Sequence, residues 1–294
     1  MTCMRTKKIV IATFAAFGLA VVSATAGAAA SLPNIAMKKS LGKSEGTLNI
    51  IVWAGYAENG SNDKTVDWVN PFTKATGCKV NAKTAGTSDE MVSLMKTGGY
   101  DGVSASGDAT LRLIYGGQVA PVNTALVANY KTISPFLKGQ QWNSVKGQMY
   151  GIPHGWGANV LAYNAAKVKK PTSWSAVFAA NSPYKGAITA YDSPIYIADA
   201  AMYLMSKQPS LKITNPFSLD KTQLAAAVAL LKVQKKNIGE YWSDYTKSVQ
   251  SFESSNTLLG SSWQVIANTI NGDKKVKVAT TVPKEGATGW SDTW

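Results

Sequence analysis

The sequence predicts an α/β fold, and three observations support this assignment. Short apolar runs typical of buried parallel strands, such as residues 48–53, alternate with segments of helical periodicity. Two of the helical segments begin with recognisable capping sequences, at Thr87 and at Asp220. Glycine closes such segments, as Gly77 does. Strands and helices that alternate along a chain are typical of α/β architecture.

The predicted elements follow one another from residue 47 onward. The predicted strands cover residues 48–53, 78–83, 100–104, two strands within 149–164, 187–191, 257–260 and 276–282. The predicted helices cover residues 65–75 with a kink at Pro71, residues 87–98, residues 195–206 and a long segment capped by Asp220. In the last helix we expect Leu224, Val228 and Leu231 to form the buried stripe.

The first part of the chain has the pattern of a secretory signal peptide. Basic residues precede the apolar segment 9–22, and the alanines 28–30 follow it as a cleavage site. A membrane-spanning helix needs about 20 apolar residues, so we expect export with cleavage near Ala30 rather than a membrane anchor. Residues 31–46 are polar and aperiodic, and we expect a flexible leader there.

Composition argues against nucleic-acid binding. The net charge of +13 falls to +10 without residues 1–30, and Arg112 is the only arginine beyond them. Proteins that hold phosphate groups usually use the planar fork of arginine, whereas scattered lysines are typical of a solvated surface. Cys78 is the only cysteine beyond residue 30. We interpret it as a small buried hydrophobe or as half of a disulfide whose other cysteine lies outside this sequence.

Catalytic and metal-binding motifs are not found in the sequence. His154 is the only histidine, which excludes a zinc site built on several imidazoles, and we expect neither a metal nor a cofactor. No nucleophile elbow, phosphate loop or dinucleotide fingerprint is present. A pair of carboxylates, Asp192 and Asp292, keeps a secreted hydrolase as an alternative. Because the catalytic motifs named above are missing, we nevertheless expect a protein that is not an enzyme.

Aromatic, hydroxyl and carboxylate side chains follow the predicted strands, where α/β folds bind ligands. These residues are Trp53, Tyr56, Ser106, Asp108, Asp192, Trp263, Trp290 and Asp292. Aromatic faces attract cations by roughly 0.5 to 2 kcal/mol each, and carboxylates supply the charge that a buried ammonium group needs. The set therefore predicts a site for a small cationic solute, although Asp108 is equally suited to cap the following helix.

Six segments carry a resemblance to a known family over nearly all of residues 47–294. They read LNIIVWAGY, YDGVSAS, YGIPHGWGANVLAYN, SPYKGAITAYDSP, LGSSWQVIAN and VPKEGATGWSDTW. The chain resembles the spermidine/putrescine-binding family of periplasmic binding proteins. The resemblance implies a monomeric, periplasmic component of an ABC importer, which captures a polyamine and passes it to a membrane permease without breaking any bond.

The resemblance also implies a two-lobed, type 2-like binding fold with mixed sheets and a hinged cleft. Lobe one is expected at residues 47–154 and lobe two at 155–284, with a return into lobe one at 285–294. Family members continue beyond this point, so the C-terminal part of the fold is expected in sequence after Trp294.

Roles of individual residues in lobe one follow from the same resemblance. Trp53 and Tyr56 match an aromatic pair that stacks on the polyamine, and Ser106 matches a hydroxyl that contacts the ligand. Trp290 matches a further aromatic residue, and Asp292 matches the principal amine-binding carboxylate.

Lobe two contributes fewer matches and shows departures from the family. Asp192 matches an amine-binding carboxylate, and Trp263 matches an aromatic residue of the site. Spermidine-binding relatives have a glutamate where this chain has Ile195, and an aromatic residue where it has Asp108. Either the carboxylates are redistributed, or they are fewer. Fewer carboxylates would favour a shorter amine or another cationic or sugar-derived solute.

Overall fold

Strands and helices alternate from residue 47 to residue 293 in a computed structural model that describes residues 31–61, 64–254 and 256–294. The strands are β1 (Thr47–Val52), β2 (Lys79–Thr84), β3 (Gly102–Val103), β4 (Ala105–Ser106), β5 (Ser144–Val145), β6 (Gln148–Met149), β7 (Pro153–Ala158), β8 (Val160–Asn164), β9 (Ile188–Tyr191), β10 (Ile238–Trp242), β11 (Leu259–Ser262), β12 (Val278–Thr281) and β13 (Gly289–Thr293). The helices are α1 (Val69–Thr76), α2 (Ser88–Met95), α3 (Gly107–Tyr115), α4 (Ser175–Phe178), α5 (Tyr196–Lys207), α6 (Lys221–Gln234), α7 (Tyr245–Glu253) and α8 (Gln264–Asp273). The predicted signal peptide lies outside the described residues.

Three sheets organise these elements. Sheet one has the parallel order β2-β1-β3, and sheet three has the antiparallel order β4-β13-β7. Sheet two has the order β10-β9-β11-β8-β12, in which β10, β9 and β11 are parallel while β8 and β12 pair antiparallel. A short hairpin joins β5 to β6. This mixture of parallel and antiparallel pairing confirms the predicted α/β class with mixed sheets.

Two separate hydrophobic clusters lie against these sheets. One surrounds Ile51 and Met91, between sheet one and helices α2 and α3. The larger one packs on sheet two and includes the fully buried Trp174 and Phe178. Each large apolar side chain buried in this way contributes roughly 1.5 to 3 kcal/mol. Two cores without a shared residue suit a molecule of two lobes, whose expected limits stay predictions.

Helices α2 and α6 begin directly after the predicted capping residues, but one predicted capping interaction is not formed. Asp220 caps α6 as predicted, because its carboxylate accepts a hydrogen bond from Gln223 N while the Gln223 side chain accepts one from Asp220 N. Thr87 caps α2 by accepting from Glu90 N. The Glu90 carboxylate, however, accepts from Gly86 N rather than from Thr87 N. The predicted reciprocal capping box is therefore wrong at Thr87.

Two further predictions about helices are wrong in detail. Helix α1 begins at Val69 instead of residue 65, so Pro71 lies in its first turn, where proline loses no helical hydrogen bond and causes no kink. In α6, Leu231 packs partly buried against the larger cluster as expected, but Leu224 is 42% exposed, and the fully buried positions are Ala227 and Gln234. The apolar residues of α6 continue around the helix, so their spacing alone did not identify the buried face.

The remaining segments need only brief description. Residues 31–46 contain no helix or strand. Cys78 is a free, half-buried thiol directly before β2. No helix in the described part of the chain combines the length and the apolar character that a membrane crossing requires.

Candidate ligand-binding site

The loops at the carboxyl ends of the parallel strands meet at one place in the molecule. A Cβ atom added to Gly86, which follows β2, would lie 3.4 Å from the Cβ atom of Asp244, which follows β10. Because β2 belongs to sheet one and β10 to sheet two, this contact joins the strand ends of two sheets. Ligands of α/β folds bind outside the carboxyl ends of strands, so the predicted site residues are expected around this junction.

Asp292 lies at the centre of the polar part of the site. It stands on β13 directly opposite Ser106 of β4, and it is 4% exposed. Its Oδ1 atom accepts a hydrogen bond from Ser106 Oγ at 2.5 Å, and its Oδ2 atom accepts one from the Tyr56 hydroxyl at 2.5 Å. Burial raises the pKa of Asp292 to about 6, although both hydroxyl contacts oppose the rise.

A second carboxylate increases the negative charge of this region. Asp108 lies in the first turn of α3 and accepts a hydrogen bond from Ser88 Oγ at 3.3 Å. Burial raises the pKa of Asp108, an effect that the nearby Arg112 partly offsets, and the charge of Asp108 raises the pKa of Asp292 in turn. The described residues form three ion pairs, and neither Asp108 nor Asp292 belongs to any of them.

The Tyr56 ring is held from two directions. Its hydroxyl donates to Asp292, and its face stacks on the His154 imidazole with ring centroids 4.2 Å apart. His154 accepts a hydrogen bond at Nδ1 from the Trp294 indole at 2.8 Å. Partial burial lowers the pKa of His154, which favours the neutral ring that this acceptor role requires. Tyr56, Ser106, Asp108 and Asp292 form what we call the carboxylate side of the site.

A glycine in β7 makes room for the Trp290 indole. Gly157 stands opposite Trp290 in the pairing of β7 with β13. A Cβ atom at Gly157 would lie only 2.4 Å from Cζ2 of the indole, so the ring lies directly across the glycine backbone. Trp53 packs against the cluster of sheet one. The indole nitrogens of Trp53 and Trp290 are both buried and have no hydrogen-bond partner among the described residues.

Three aromatic rings pack together at the ends of the parallel strands of sheet two, where Trp242 is only 1% exposed and Trp263 is half-buried. These residues, which we call the aromatic side, are Tyr191, Trp242 and Trp263. Tyr191 stacks on Trp242 at 4.4 Å between centroids, and Trp263 meets both rings edge-on at 5.2 and 5.0 Å. Burial raises the pKa of Tyr191 to about 12, and the charges of Asp108 and Asp292 also raise it. The Tyr191 hydroxyl therefore lies within the electrostatic influence of the carboxylate side.

Sequence reasoning missed Tyr191 and Trp242, although each ends a strand of the sheet that bears Trp263. Tyr191 directly precedes the predicted site residue Asp192, and this adjacency was an available signal. Trp242 belongs to β10, a strand that the hydrophobic pattern did not indicate.

Asp192 differs from the other predicted site residues. It is exposed, and its backbone N donates to the carbonyl oxygen of Trp242 at 2.7 Å. Its side chain forms no hydrogen bond or ion pair with the described residues, and its charge raises the pKa of the exposed Tyr241, where burial is the larger cause. No contact joins Asp192 to Asp292, so an amine-binding role for Asp192 stays a prediction.

These features together define a candidate ligand site, with a pair of carboxylates and a group of aromatic rings at the strand ends of two sheets. Residues 67–294 match the family of bacterial extracellular solute-binding proteins, and the chain belongs to this family. The resemblance seen in the sequence is thereby confirmed, and the family is one of solute-binding proteins rather than of enzymes.

Similar proteins agree with this assignment. The chain is 23% identical over 261 residues to the spermidine/putrescine-binding periplasmic protein 1 of Haemophilus influenzae, covering 87% of this chain and 67% of that protein. The crystal structure of the spermidine/putrescine ABC transporter substrate-binding protein PotD of Streptococcus pneumoniae superposes with a TM-score of 0.64 and 20% identity, covering 84% of this chain and 71% of that one. The binding protein AgtB of A. tumefaciens R10, in complex with agropinic acid, superposes with a TM-score of 0.61 and 16% identity over the same shares. These likenesses confirm the two-lobed binding fold.

Proposed function

We propose that the protein binds a polyamine such as putrescine or spermidine and delivers it to the membrane permease of an ABC importer. The observation that supports this most directly is the state of Asp292. It is a buried carboxylate that accepts two hydroxyl hydrogen bonds and has no cationic partner in the described residues. A buried charge is costly unless it is paired, and a protonated amine supplies the missing partner.

The aromatic side suits the rest of such a ligand. Indole and phenol rings cover methylene groups at little entropic cost, and their faces attract ammonium groups. Because the charge of Asp292 raises the pKa of Tyr191, we expect one extended amine to reach both sides. Capture then requires only closure of the two lobes around the ligand.

Location and partners complete the proposal. The N-terminal pattern of residues 1–30 directs export, and the family consists of extracellular proteins, so we place the protein in the periplasm. We expect it to act as a monomer that presents the closed form to its permease. The names of the relatives from H. influenzae and S. pneumoniae support a polyamine as the solute.

Calorimetric titration tests this function. Protein purified after export is titrated with putrescine, with spermidine, and with 1,4-butanediol as an uncharged molecule of matched length. We expect saturable binding of at least one polyamine and none of the diol. Absence of binding by both polyamines would exclude the proposed ligand class.

A second ligand class is favoured by the unpaired indole nitrogens of Trp53 and Trp290. An indole N–H is a donor only, and a fully protonated polyamine offers it no acceptor. A solute with one ammonium group and several oxygens would satisfy both Asp292 and the two indoles. Glucosamine and γ-aminobutyrate probe this class, and tighter binding of either one than of the polyamines would support it.

A further inference from the structure

The chain passes between sheet three and sheet two at two junctions that lie side by side. Asn159 is the single residue between β7 of sheet three and β8 of sheet two. Thr288 directly precedes β13, where the chain returns to sheet three. The backbone N of Asn159 donates to the carbonyl oxygen of Thr288 at 2.9 Å. Any movement of sheet three relative to sheet two therefore involves both residues.

A line of side-chain hydrogen bonds connects these junctions to the aromatic side. The Trp263 indole donates to Asn159 Oδ1 at 3.1 Å, and Asn159 Nδ2 donates to Thr288 Oγ1 at 2.7 Å. The Thr288 hydroxyl donates in turn to the carboxylate of Asp199 on α5. Asn159, Thr288 and Asp199 are 7%, 4% and 2% exposed, so water does not compete freely for these bonds.

The indole nitrogen of Trp263 fixes the direction of the first two bonds in this line, because it only donates. The Thr288 hydroxyl donates to Asp199 when that carboxylate is ionised, above its pKa of about 7. Asn159 must then turn its carbonyl oxygen toward Trp263 and its amide nitrogen toward Thr288. Asn159 also contacts the Asp199 carboxylate. Loss of the Thr288 hydroxyl would therefore remove the shared partner of a buried amide and a buried carboxylate and leave only their mutual contact, which is costly.

We infer that Asn159 and Thr288 are positioning residues that set the orientation of the Trp263 indole from the two junctions. Asp199, on helix α5, accepts the last hydrogen bond of the line. Through this line, the geometry of the junctions is linked to a ring that faces the ligand. The inference rests on the proposed function in one respect, namely that Trp263 belongs to the ligand site.

The first test needs no ligand. In ¹⁵N-labelled ligand-free protein, the Trp263 indole resonance is assigned with Trp263→Phe, and its chemical shift and hydrogen exchange are compared between Thr288→Val and Thr288→Ser. Valine has the shape of threonine but no hydroxyl, so we expect a shifted and faster-exchanging indole signal; serine should restore it. Thr132→Val, which removes the hydroxyl of an exposed threonine bonded to the Asn129 carbonyl oxygen, is the matched control and should leave the signal unchanged.

The second test separates positioning from general stability. Thr288→Val should weaken putrescine binding by about fivefold, but by less than about twofold when Trp263 is already phenylalanine. Equal losses in both backgrounds, or an unchanged indole signal in Thr288→Val, would overturn the inference. Asn159→Leu removes the middle link and carries the same expectations if Thr288→Val does not fold. If no polyamine binds, the indole measurement still tests whether Asn159 and Thr288 position Trp263. The positioning inference and the proposed polyamine function can therefore fail separately.

Discussion

The two sides of the candidate site differ in their chemistry. The carboxylate side holds two partly or fully buried acids that form no ion pair with the described residues, and hydroxyl groups orient them. The aromatic side consists of mutually packed rings. Under the proposed function we expect the first side to select charge and the second to pack against the ligand chain, so substitutions on the two sides should have separable effects.

The largest expected effect comes from removing charge on the carboxylate side. Asp292→Asn should weaken putrescine or spermidine binding by about 100-fold, because a buried, charge-assisted contact is lost. Calorimetry measures this change. Asp220→Asn, an exposed cap position where asparagine serves equally well, should bind normally. If Asp292→Asn bound the polyamine as tightly as the unchanged protein, Asp292 would not be a ligand-binding residue.

The same substitution should stabilise the ligand-free protein. In the folded state the pKa of Asp292 rises from 3.8 to about 6, so the folded protein binds protons more readily than the unfolded chain. Stability is therefore highest below pH 3.8 as far as this group is concerned, and it falls as the pH rises toward 6. Asparagine avoids this cost, which is of the order of 2 to 3 kcal/mol at neutral pH. Urea unfolding measures it, and a loss of stability would contradict the assignment.

Acidification should have the next largest effect on binding. Only ionised Asp292 attracts an ammonium group, and about one tenth remains ionised one pH unit below the pKa, so the apparent Kd at about pH 5 should be roughly tenfold higher. Burial also raises the pKa of Asp199 to about 7. Measuring the apparent Kd of Asp292→Asn across this pH range separates the effect of Asp292 from that of Asp199. This variant should show no tenfold change in Kd near pH 6.

Substitution on the aromatic side should act more weakly and independently of pH. Trp263→Leu removes one aromatic face and should weaken polyamine binding by about fivefold. Its dependence on pH should match that of the unchanged protein, since the carboxylate side is intact. Trp263→Phe keeps an aromatic face and should lose less. A changed pH profile in Trp263→Leu would show that the two sides are not separable.

The smallest effect is expected for Asp192. Exposed charges without a fixed partner contribute little, so Asp192→Asn should weaken binding by less than about threefold. The comparison with Asp292→Asn in the same titration is the measurement. A loss as large as that of Asp292→Asn would place a second strong amine contact on the aromatic side.

Most of the fold could be predicted from local sequence patterns. Apolar strands and capped helices are specified by neighbouring residues, and the predicted segment 187–191 corresponds to β9 within one residue. Strand β10 was missed because it contains a glycine and a glutamate, and only Trp242 in it is buried. Helices α4, α7 and α8 were missed as well. Of these, α7 has a capping aspartate, Asp244, that accepts from Lys247 N.

The site could be predicted only in part. Position after a strand identified Tyr56, Ser106 and Asp292, which the structure joins by hydrogen bonds. The same rule included Asp192, which is exposed and whose side chain forms no hydrogen bond with the described residues, so its role in the site stays a prediction. The hydrogen bonds that connect Trp263 to Asp199 could not be predicted from the sequence, since they are buried contacts between distant segments.

The position of Asp292 has a consequence for how the protein is made. Its two hydroxyl partners lie 186 and 236 residues earlier in the chain. Helices and hairpins form from neighbouring residues, whereas contacts this distant form late because they close long loops. A folding chain therefore acquires much of its hydrophobic interior before Asp292 meets Tyr56 and Ser106. The candidate site is assembled only when β13 enters between β4 and β7.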